Sequence, residues 1–418
     1  MLEIFNYIEK EKERQQNNIE LIASENIVSD NVLKAAGSIL TNKYAEGYPS
    51  NRYYCGCKWV DEIEKLAIEK VCKLFRCGFA NVQPHSGASA NLAVYFAMCK
   101  PNDKIVGMSL DAGGHLTHGA KPTISGKWFE SIQYGLKSDG YLDYDEIENL
   151  VVKHLPKVLV VGASAYSRII DFKRINEILK IGQEARKQKG KTKPMYVMVD
   201  IAHIAGLVAT GLHPNPFDYI DSKYLIVTST THKTLRGPRG AIILSNDEDI
   251  SEKINKSIFP GCQGGPLEHI IAAKAVAFEE ALQPEFKQYQ EQVIKNARAM
   301  AEQFIKNGFK IVSNGTDNHL LLVDLSPFNL TGKKVAETLD NYNITCNKNT
   351  IPNDKNGVKD TSGIRIGTPA VTSRGFKEND CIEVVDIISE ICKNIESVKI
   401  VESYLDRVRN IIKKYPIY

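Results

Sequence analysis

Asp200 and Lys233 are the residues of this 418-residue chain whose surroundings most suggest chemistry. Asp200 closes the apolar run Tyr196-Val197-Met198-Val199 and is followed by Ile201-Ala202-His203. A carboxylate at a strand's carboxyl end, with an imidazole three residues on, projects into the crevice where α/β sheets bind ligands. Such an acid suits pyridoxal phosphate, whose ring nitrogen must stay protonated to draw in electrons. An Asp that merely caps the next helix would leave the same local signature. Lys233 sits in Thr228-Ser229-Thr230-Thr231-His232-Lys233-Thr234, ahead of Leu235-Arg236-Gly237-Pro238-Arg239-Gly240. Hydroxyls, an imidazole and two arginines crowd this amine, conditions that lower a lysine pKa and suit a Schiff base. A basic surface loop has similar composition, but the flanking apolar strands and the Gly-Pro-Arg-Gly turn argue for burial. An acid and a lysine on neighbouring strand ends are a stronger signal than either alone.

The elements that must hold these residues are legible as alternating patterns. Short Val/Ile-rich runs at 104–108, 158–162, 196–200, 225–228 and 241–244 read as strands. Helical periodicity separates several of them, at 144–153 and 173–187, and precedes them at 59–75 and 90–99. Residues 81–84 read as a lead into a Ser86-Gly87-Ala88 turn. This order predicts an α/β fold with a mostly parallel sheet covered by helices on both faces. Helical patterns follow at 267–282 and 286–306, then a second strand–helix set: strands at 309–312, 320–324, 343–346 and 363–367, a helix at 333–342, and long helices from about 377. The expected division is an N-terminal arm (1–25, opening on a short helix), a large domain (26–284) and a smaller α+β C-terminal domain (285–418).

Composition narrows the class. Fifty-three basic and 50 acidic side chains leave a net charge of +3, and 43% of residues are apolar, as in ordinary globular proteins. The basic run 186–193 reads as a solvated loop, so no nucleic-acid partner is expected. No run is long and apolar enough for a membrane span, and the amino terminus lacks a signal peptide's apolar stretch. Nine scattered cysteines, without paired Cys-x-x-Cys spacing, predict neither a disulfide scaffold nor a metal site. The expectation is a cytoplasmic enzyme.

Longer motifs add a resemblance. Asp-x-Ala-His at 200–203 and Thr-His-Lys-Thr-Leu-Arg-Gly-Pro-Arg-Gly at 231–240 resemble the serine hydroxymethyltransferase family. So do Leu-Ile-Ala-Ser-Glu-Asn (21–26), Asn-Lys-Tyr-Ala-Glu-Gly-Tyr-Pro (42–49), Gly-Gly-His-Leu-Thr-His-Gly (113–119), Ser-Ala-Tyr-Ser (164–167), Gln-Gly-Gly-Pro (263–266) and Ser-Gly-Ile-Arg-Ile-Gly (362–367). The likeness covers essentially the whole chain. It implies a fold-type-I pyridoxal-phosphate transferase that converts L-serine and tetrahydrofolate to glycine and 5,10-methylenetetrahydrofolate, reversibly, with tetrahydrofolate as co-substrate.

The resemblance also implies roles. Lys233 holds the cofactor as a Schiff base, Asp200 pairs with its ring nitrogen and His115 stacks on the ring. His203 and Ser164 lie near its phenolic oxygen, and Ser86-Gly87 receives its phosphate. Arg239 and His232 support the lysine and the ring from behind, and Thr230 hydrogen-bonds the aldimine that the substrate forms. Arg365, helped by Ser24, clamps the substrate carboxylate, and Glu46 moves protons at the transferred carbon and the folate nitrogen. Tyr44 and Tyr54 line the site. Tyr44, Glu46 and the Gly264-Gly265 loop serve the neighbouring subunit, which implies an obligate homodimer, with dimer or tetramer left open. Leu110, Gly114, His115, Leu116 and Asn349 are the implied folate contacts. The chain departs from the common pattern at 356–360, where many members carry a Pro-Phe pair, and at Ala88, which stands for a frequent serine. Two rivals stay open: a folate-independent aldolase of β-hydroxy amino acids, and a catalytically silent regulatory paralogue.

Overall fold

Val158 and Val160 pack into one core while Leu159 and Val161 pack into another. The same alternation divides Met198 from Val197 and Val199, and Ile226 from Leu225 and Val227. Successive strand residues point to opposite faces, so a sheet apolar at every position must be covered on both sides. The computed structural model, which describes residues 2–395 and 401–418, has this architecture. Seven strands run in the order Phe79–Asn81, Ala241–Ser245, Leu225–Thr230, Tyr196–Asp200, Val158–Val161, Lys104–Met108, Glu130–Tyr134. Six run in the same direction, and Ala241–Ser245 alone runs antiparallel to both its neighbours. The α/β expectation holds.

Helices Lys58–Phe75, Tyr144–His154, Phe172–Gln188 and Glu268–Ala281 cover one face through residues such as Val71, Val151, Ile175 and Phe278. Helix Gly87–Met98 covers the other with Ala90, Val94 and Tyr95. A second, antiparallel sheet orders Lys310–Ile311, Leu320–Asp324, Gly363–Gly367 and Asn347–Asn349. Its own core includes Phe304, Val323, Ile364 and Ile388. Strand Ile19–Glu20 pairs in parallel with Ile344–Thr345, and Ile19 and Leu21 enter that second core.

Three local readings change. The first helix is one continuous element, Glu3–Gln16, with no buried residue. Its polar half is carried by i,i+3 pairs, Glu11–Arg14 at 2.8 Å and Glu9–Lys12 at 3.6 Å. The edge strands Phe79–Asn81 and Glu130–Tyr134 were not anticipated, since a half-exposed edge lacks a continuous apolar run. Helix Gly87–Met98 begins three residues before the expected 90, because Ser86 is its N-cap.

Candidate active site

Four parallel strands end on one side of the large sheet, and the loops leaving them form one cavity. It is lined by His115 and His118 after Met108, Ser164 after Val161, Asp200 with Ala202 and His203, and Thr230, His232 and Lys233. Ser24, Glu25, Ser86, Gly87, Arg239 and Arg365 complete its wall, around about 480 Å³. The sequence-predicted Lys233, Asp200, His115, His203, Ser164, Thr230, His232, Ser86, Gly87, Ser24 and Arg365 therefore meet in one place.

Asp200 is the buried anion of the cavity. Its Oδ2 accepts from Asn91 Nδ2 at 2.9 Å and lies 3.1 Å from His118 Nε2, and Oδ1 accepts from Ala202 N at 3.0 Å. Burial pushes its carboxyl pKa up, but His118 and Asn91 outweigh that and hold it well below the usual range. Asn91 and His118 escaped the sequence reading. His118 lies three residues after His115 in the Gly-Gly-His motif, which was the available signal; Asn91, 109 residues before Asp200, left none.

Lys233 Nζ makes no hydrogen bond or ion pair among the described residues. Burial lowers its pKa to about 8; nearby Asp200 raises it, and Arg365 and Arg239 lower it. At pH 8 about half of such an amine is free base, against about one in 300 for an ordinary lysine. Burial also lowers His115 to about 4 and His232 to about 3, so both imidazoles are neutral at pH 7. Thr117 N donates to His115 Nδ1 at 3.2 Å, fixing that ring.

At the other end of the cavity Ser86 caps a twelve-residue helix. Its Oγ accepts from Ser89 N at 3.2 Å, and Ser89 Oγ from Ser86 N at 2.9 Å. The N–H groups of Gly87 and Ala88 have no partner among the described residues, so the helix end can take an anion. A Cβ on Gly87 would lie 2.7 Å from the Thr230 methyl, so any larger residue would crowd this cradle. Buried Thr230 Oγ1 and His232 Nδ1 lack partners among the described residues. Lys274, which sequence reasoning missed, is fully buried and donates to Val82 O, Pro84 O and Ala241 O at 2.7, 3.1 and 2.8 Å. It thereby anchors the segment leading into Ser86 to the strand that follows the lysine loop.

Arg365 comes from the centre of the small sheet. Its Nη1 donates to Ser164 O at 2.6 Å and Nε to Asn347 Oδ1 at 3.1 Å; Nη2 has no partner among the described residues. Burial lowers its pKa to about 10, so it remains cationic at pH 7. Ser24 is brought to the same cavity wall by a close backbone approach. Gly367 N donates to Leu21 O at 2.7 Å, and a Cβ on Gly367 would lie 2.3 Å from Ala23 Cα.

Tyr44, Glu46, Tyr54 and Gly265 do not line their own chain's cavity. They form a separate exposed cluster. Tyr44 Oη is 3.4 Å from Glu46 Oε1, the Tyr44 and Tyr54 rings meet edge to face at 5.5 Å, and a Cβ on Gly265 would touch the Tyr44 ring at 3.1 Å. Buried Arg52 fixes this segment. Its Nη1 holds Ala45 O and Gly47 O at 2.9 and 3.0 Å while the guanidinium pairs with Asp61 and Glu64 at 2.8 and 2.6 Å. Of the implied folate contacts, Gly114 is buried and Leu110 and Leu116 are exposed. Thr350 Oγ1, next to Asn349, lies 3.4 Å from Asp111 O and brings that strand end to the same loop. Residues 357–360 form a short helix with Val358 exposed.

The family profile described as serine hydroxymethyltransferase matches residues 2–388. The chain belongs to the serine hydroxymethyltransferase family. The serine hydroxymethyltransferase of Rickettsia canadensis is 57% identical over 417 residues, covering 98% of this chain and 96% of the relative. That of Rickettsia akari is 56% identical, covering 100% and 97%, and that of Halorhodospira halophila is 53% identical, covering 98% and 95%. The family uses pyridoxal phosphate, and the cavity fits it: a capped helix end and unpartnered polar atoms for a phosphate, an unpaired amine, and a buried carboxylate for a ring nitrogen. No group of three or more His, Cys, Asp and Glu side chains able to hold a metal occurs among the described residues, nor any helix long and apolar enough to cross a membrane.

The Lys233 shift has a kinetic consequence. Capture of added pyridoxal phosphate by cofactor-free protein, followed by absorbance, should speed up about tenfold from pH 7 to pH 9 and then level off. Below pH 8 the amine carries a proton and cannot attack; above it the free base dominates. A rate still climbing steeply beyond pH 9 would mean an unperturbed lysine.

Proposed function

We propose that this protein is a pyridoxal-phosphate-dependent glycine hydroxymethyltransferase, moving the hydroxymethyl carbon of L-serine to tetrahydrofolate and, in reverse, making serine from glycine. The observation that carries the reading is the convergence of the partnerless Lys233 amine, the buried Asp200 carboxylate and the open edge of Arg365 in one cavity. When bound, pyridoxal phosphate supplies a sink for the electron pair released at the substrate's α-carbon. Lys233 holds the cofactor between turnovers, and Asp200 holds a proton at its ring nitrogen. Ser86, Gly87, Thr230 and His232 receive its phosphate end. His115 faces the ring, and His203 and Ser164 attend its phenolic oxygen. Arg365, with Ser24, orients the substrate carboxylate in a charge-assisted pair.

Glu46 is the proton carrier at the hydroxymethyl carbon and at the folate nitrogen, with Tyr54 and Tyr44 beside it. Because these residues and Gly265 stand outside their own cavity, the reading includes a homodimer in which each subunit completes the other's site. Exposed Ile39 and Leu66, which line an apolar groove with Ile63 and Val276, support a surface that a second copy covers. Leu110 and Leu116 provide apolar contact for folate, with Gly114 main chain, His115 and Asn349 as polar partners. The two cores support a large and a small domain that meet within helix Pro284–Lys306, whose Phe286 and Ile294 join the large core while Met300 and Phe304 join the small one; Ile19 and Leu21 of the 1–25 arm also enter the small core. The reading includes a place in the cytoplasm.

Glycine formation from serine is the test. Turnover should depend on tetrahydrofolate and fall by at least about a hundredfold without it, the scale of lost positioning and proton transfer. Equal rates with and without folate would replace this reading with that of a folate-independent aldolase.

A further inference from the structure

His319 has no place in the mechanism above, yet it is fully buried against one of the cavity's walls. Its Nε2 lies 3.1 Å from Nδ1 of His203, and the two rings stack at 5.3 Å with planes 29° apart. Both ends of the contact are fixed. Main-chain O of His203 accepts from Thr234 Oγ1 at 2.9 Å, one residue past Lys233. Main-chain O of His319 accepts from Thr368 N at 3.0 Å, three residues past Arg365. The segment leading into His319 is clamped onto the 166–168 loop: Asn318 Nδ2 donates to Tyr166 O at 2.9 Å, Asp317 N to Ser167 O at 2.8 Å, and Arg168 pairs with Asp317 at 2.9 Å.

The contact can hold only one proton. Burial, with the nearby Lys233 and Arg365 cations, keeps both imidazoles neutral, so one ring nitrogen donates and the other accepts. The buried Nδ1 of His319 decides which, because it has no partner among the described residues. Were Nδ1 protonated, a buried N–H would be left without an acceptor, the rarer and costlier defect; a bare lone pair there is better tolerated. His319 therefore carries its proton on Nε2 and donates to His203 Nδ1. His203 must then carry its own proton on Nε2, the ring nitrogen left free to meet a ligand in the cavity it lines.

We propose that His319 is a positioning residue that fixes His203 in the Nε2–H tautomer, turning it into a permanent hydrogen-bond donor toward the cavity. This rests on the reading of the cavity as the cofactor site, where the phenolic oxygen is the acceptor that such a donor serves. A fixed donor stabilises negative charge on that oxygen without first having to acquire a proton. An unfixed imidazole would spend part of its time presenting a lone pair instead.

Imidazole nitrogen shifts of the full-length protein, labelled with ¹⁵N-histidine, read the tautomer directly, with and without pyridoxal phosphate; His203→Asn assigns the signal. Wild type and His319→Gln, whose amide N–H replaces the Nε2 donor, should show His203 protonated on Nε2. In His319→Leu the signal should move toward the Nδ1–H form or an average of the two. The kcat for serine should fall about tenfold in His319→Leu, the size of one hydrogen bond in the site, recover in His319→Gln, and leave KM for serine within about twofold. A wild-type His203 protonated on Nδ1, or shifts unchanged in His319→Leu, would overturn the assignment. If His319→Leu fails to fold, His319→Met, which fills the same space without a donor, takes its place in the comparison. The shifts need no turnover, so failure of the tautomer assignment is distinguishable from failure of the proposed activity.

Discussion

Lys233→Gln should abolish multiple turnover, lowering kcat by at least about 10⁴-fold, the scale seen when a covalent catalyst's nucleophile is removed. The side chain is nearly isosteric, so the cavity should keep its shape while losing its only buried, unpaired amine among the described residues. Two functions go together. The protein can no longer hold pyridoxal phosphate covalently, and no amine remains to return the site to its resting state. Non-covalent cofactor should still bind through Ser86, Gly87 and Asp200, so the spectrum of the loaded variant should be that of the free aldehyde. Folding should be undisturbed or slightly favoured, because a buried amine whose pKa is depressed to about 8 is uncomfortable as a cation. Sustained turnover by Lys233→Gln within tenfold of wild type would remove the lysine from its assigned role.

Asp200→Asn should be nearly as damaging. The carboxylate accepts from Asn91, Ala202 and His118, and it is held ionised despite burial. Asparagine keeps the size but removes the charge, and its amide places N–H toward one of those donors. Breaking a buried charged pair typically costs about 3–5 kcal/mol, which corresponds to a loss in kcat of about 10²–10⁴-fold. Affinity for the cofactor should fall as well, and Asp200→Glu should recover part of both. His118→Asn isolates the positioning component; it leaves the charge in place but loosens its holder, so its effect should be smaller. A kcat for Asp200→Asn within tenfold of wild type would mean that no protonated ring nitrogen depends on this residue.

Much of the large sheet was legible because its strands are buried on both faces and hence written as unbroken Val/Ile runs that stop at polar residues. Tyr196–Asp200 is the clearest case: the apolar stretch and the carboxylate that ends it are one signal. The edge strand Glu130–Tyr134 was not legible, because a half-exposed strand mixes Glu, Ser and Gln into its pattern. In the site, Asp200 and Lys233 could be paired from sequence since one ends a strand and the other follows three residues after the end of the next. Arg365 needed the family resemblance, for nothing local separates a carboxylate clamp from a structural arginine. The supporting groups were hidden for a topological reason. Asn91 and His118 meet Asp200 across 109 and 82 residues, Lys274 holds Val82 across 192, and His319 meets His203 across 116. Such contacts exist only after the chain has folded. Tyr44, Glu46 and Tyr54 are the opposite case, conspicuous as motif residues but standing outside the cavity of their own chain.

Following serine's hydroxymethyl carbon into folate is the decisive measurement. With serine labelled by ¹³C at the hydroxymethyl position, tetrahydrofolate and the cofactor-loaded protein, the label should appear in 5,10-methylenetetrahydrofolate in step with unlabelled glycine. Lys233→Gln should form neither product. Glycine formed while the label collects as free formaldehyde, at a rate indifferent to folate, would contradict the account.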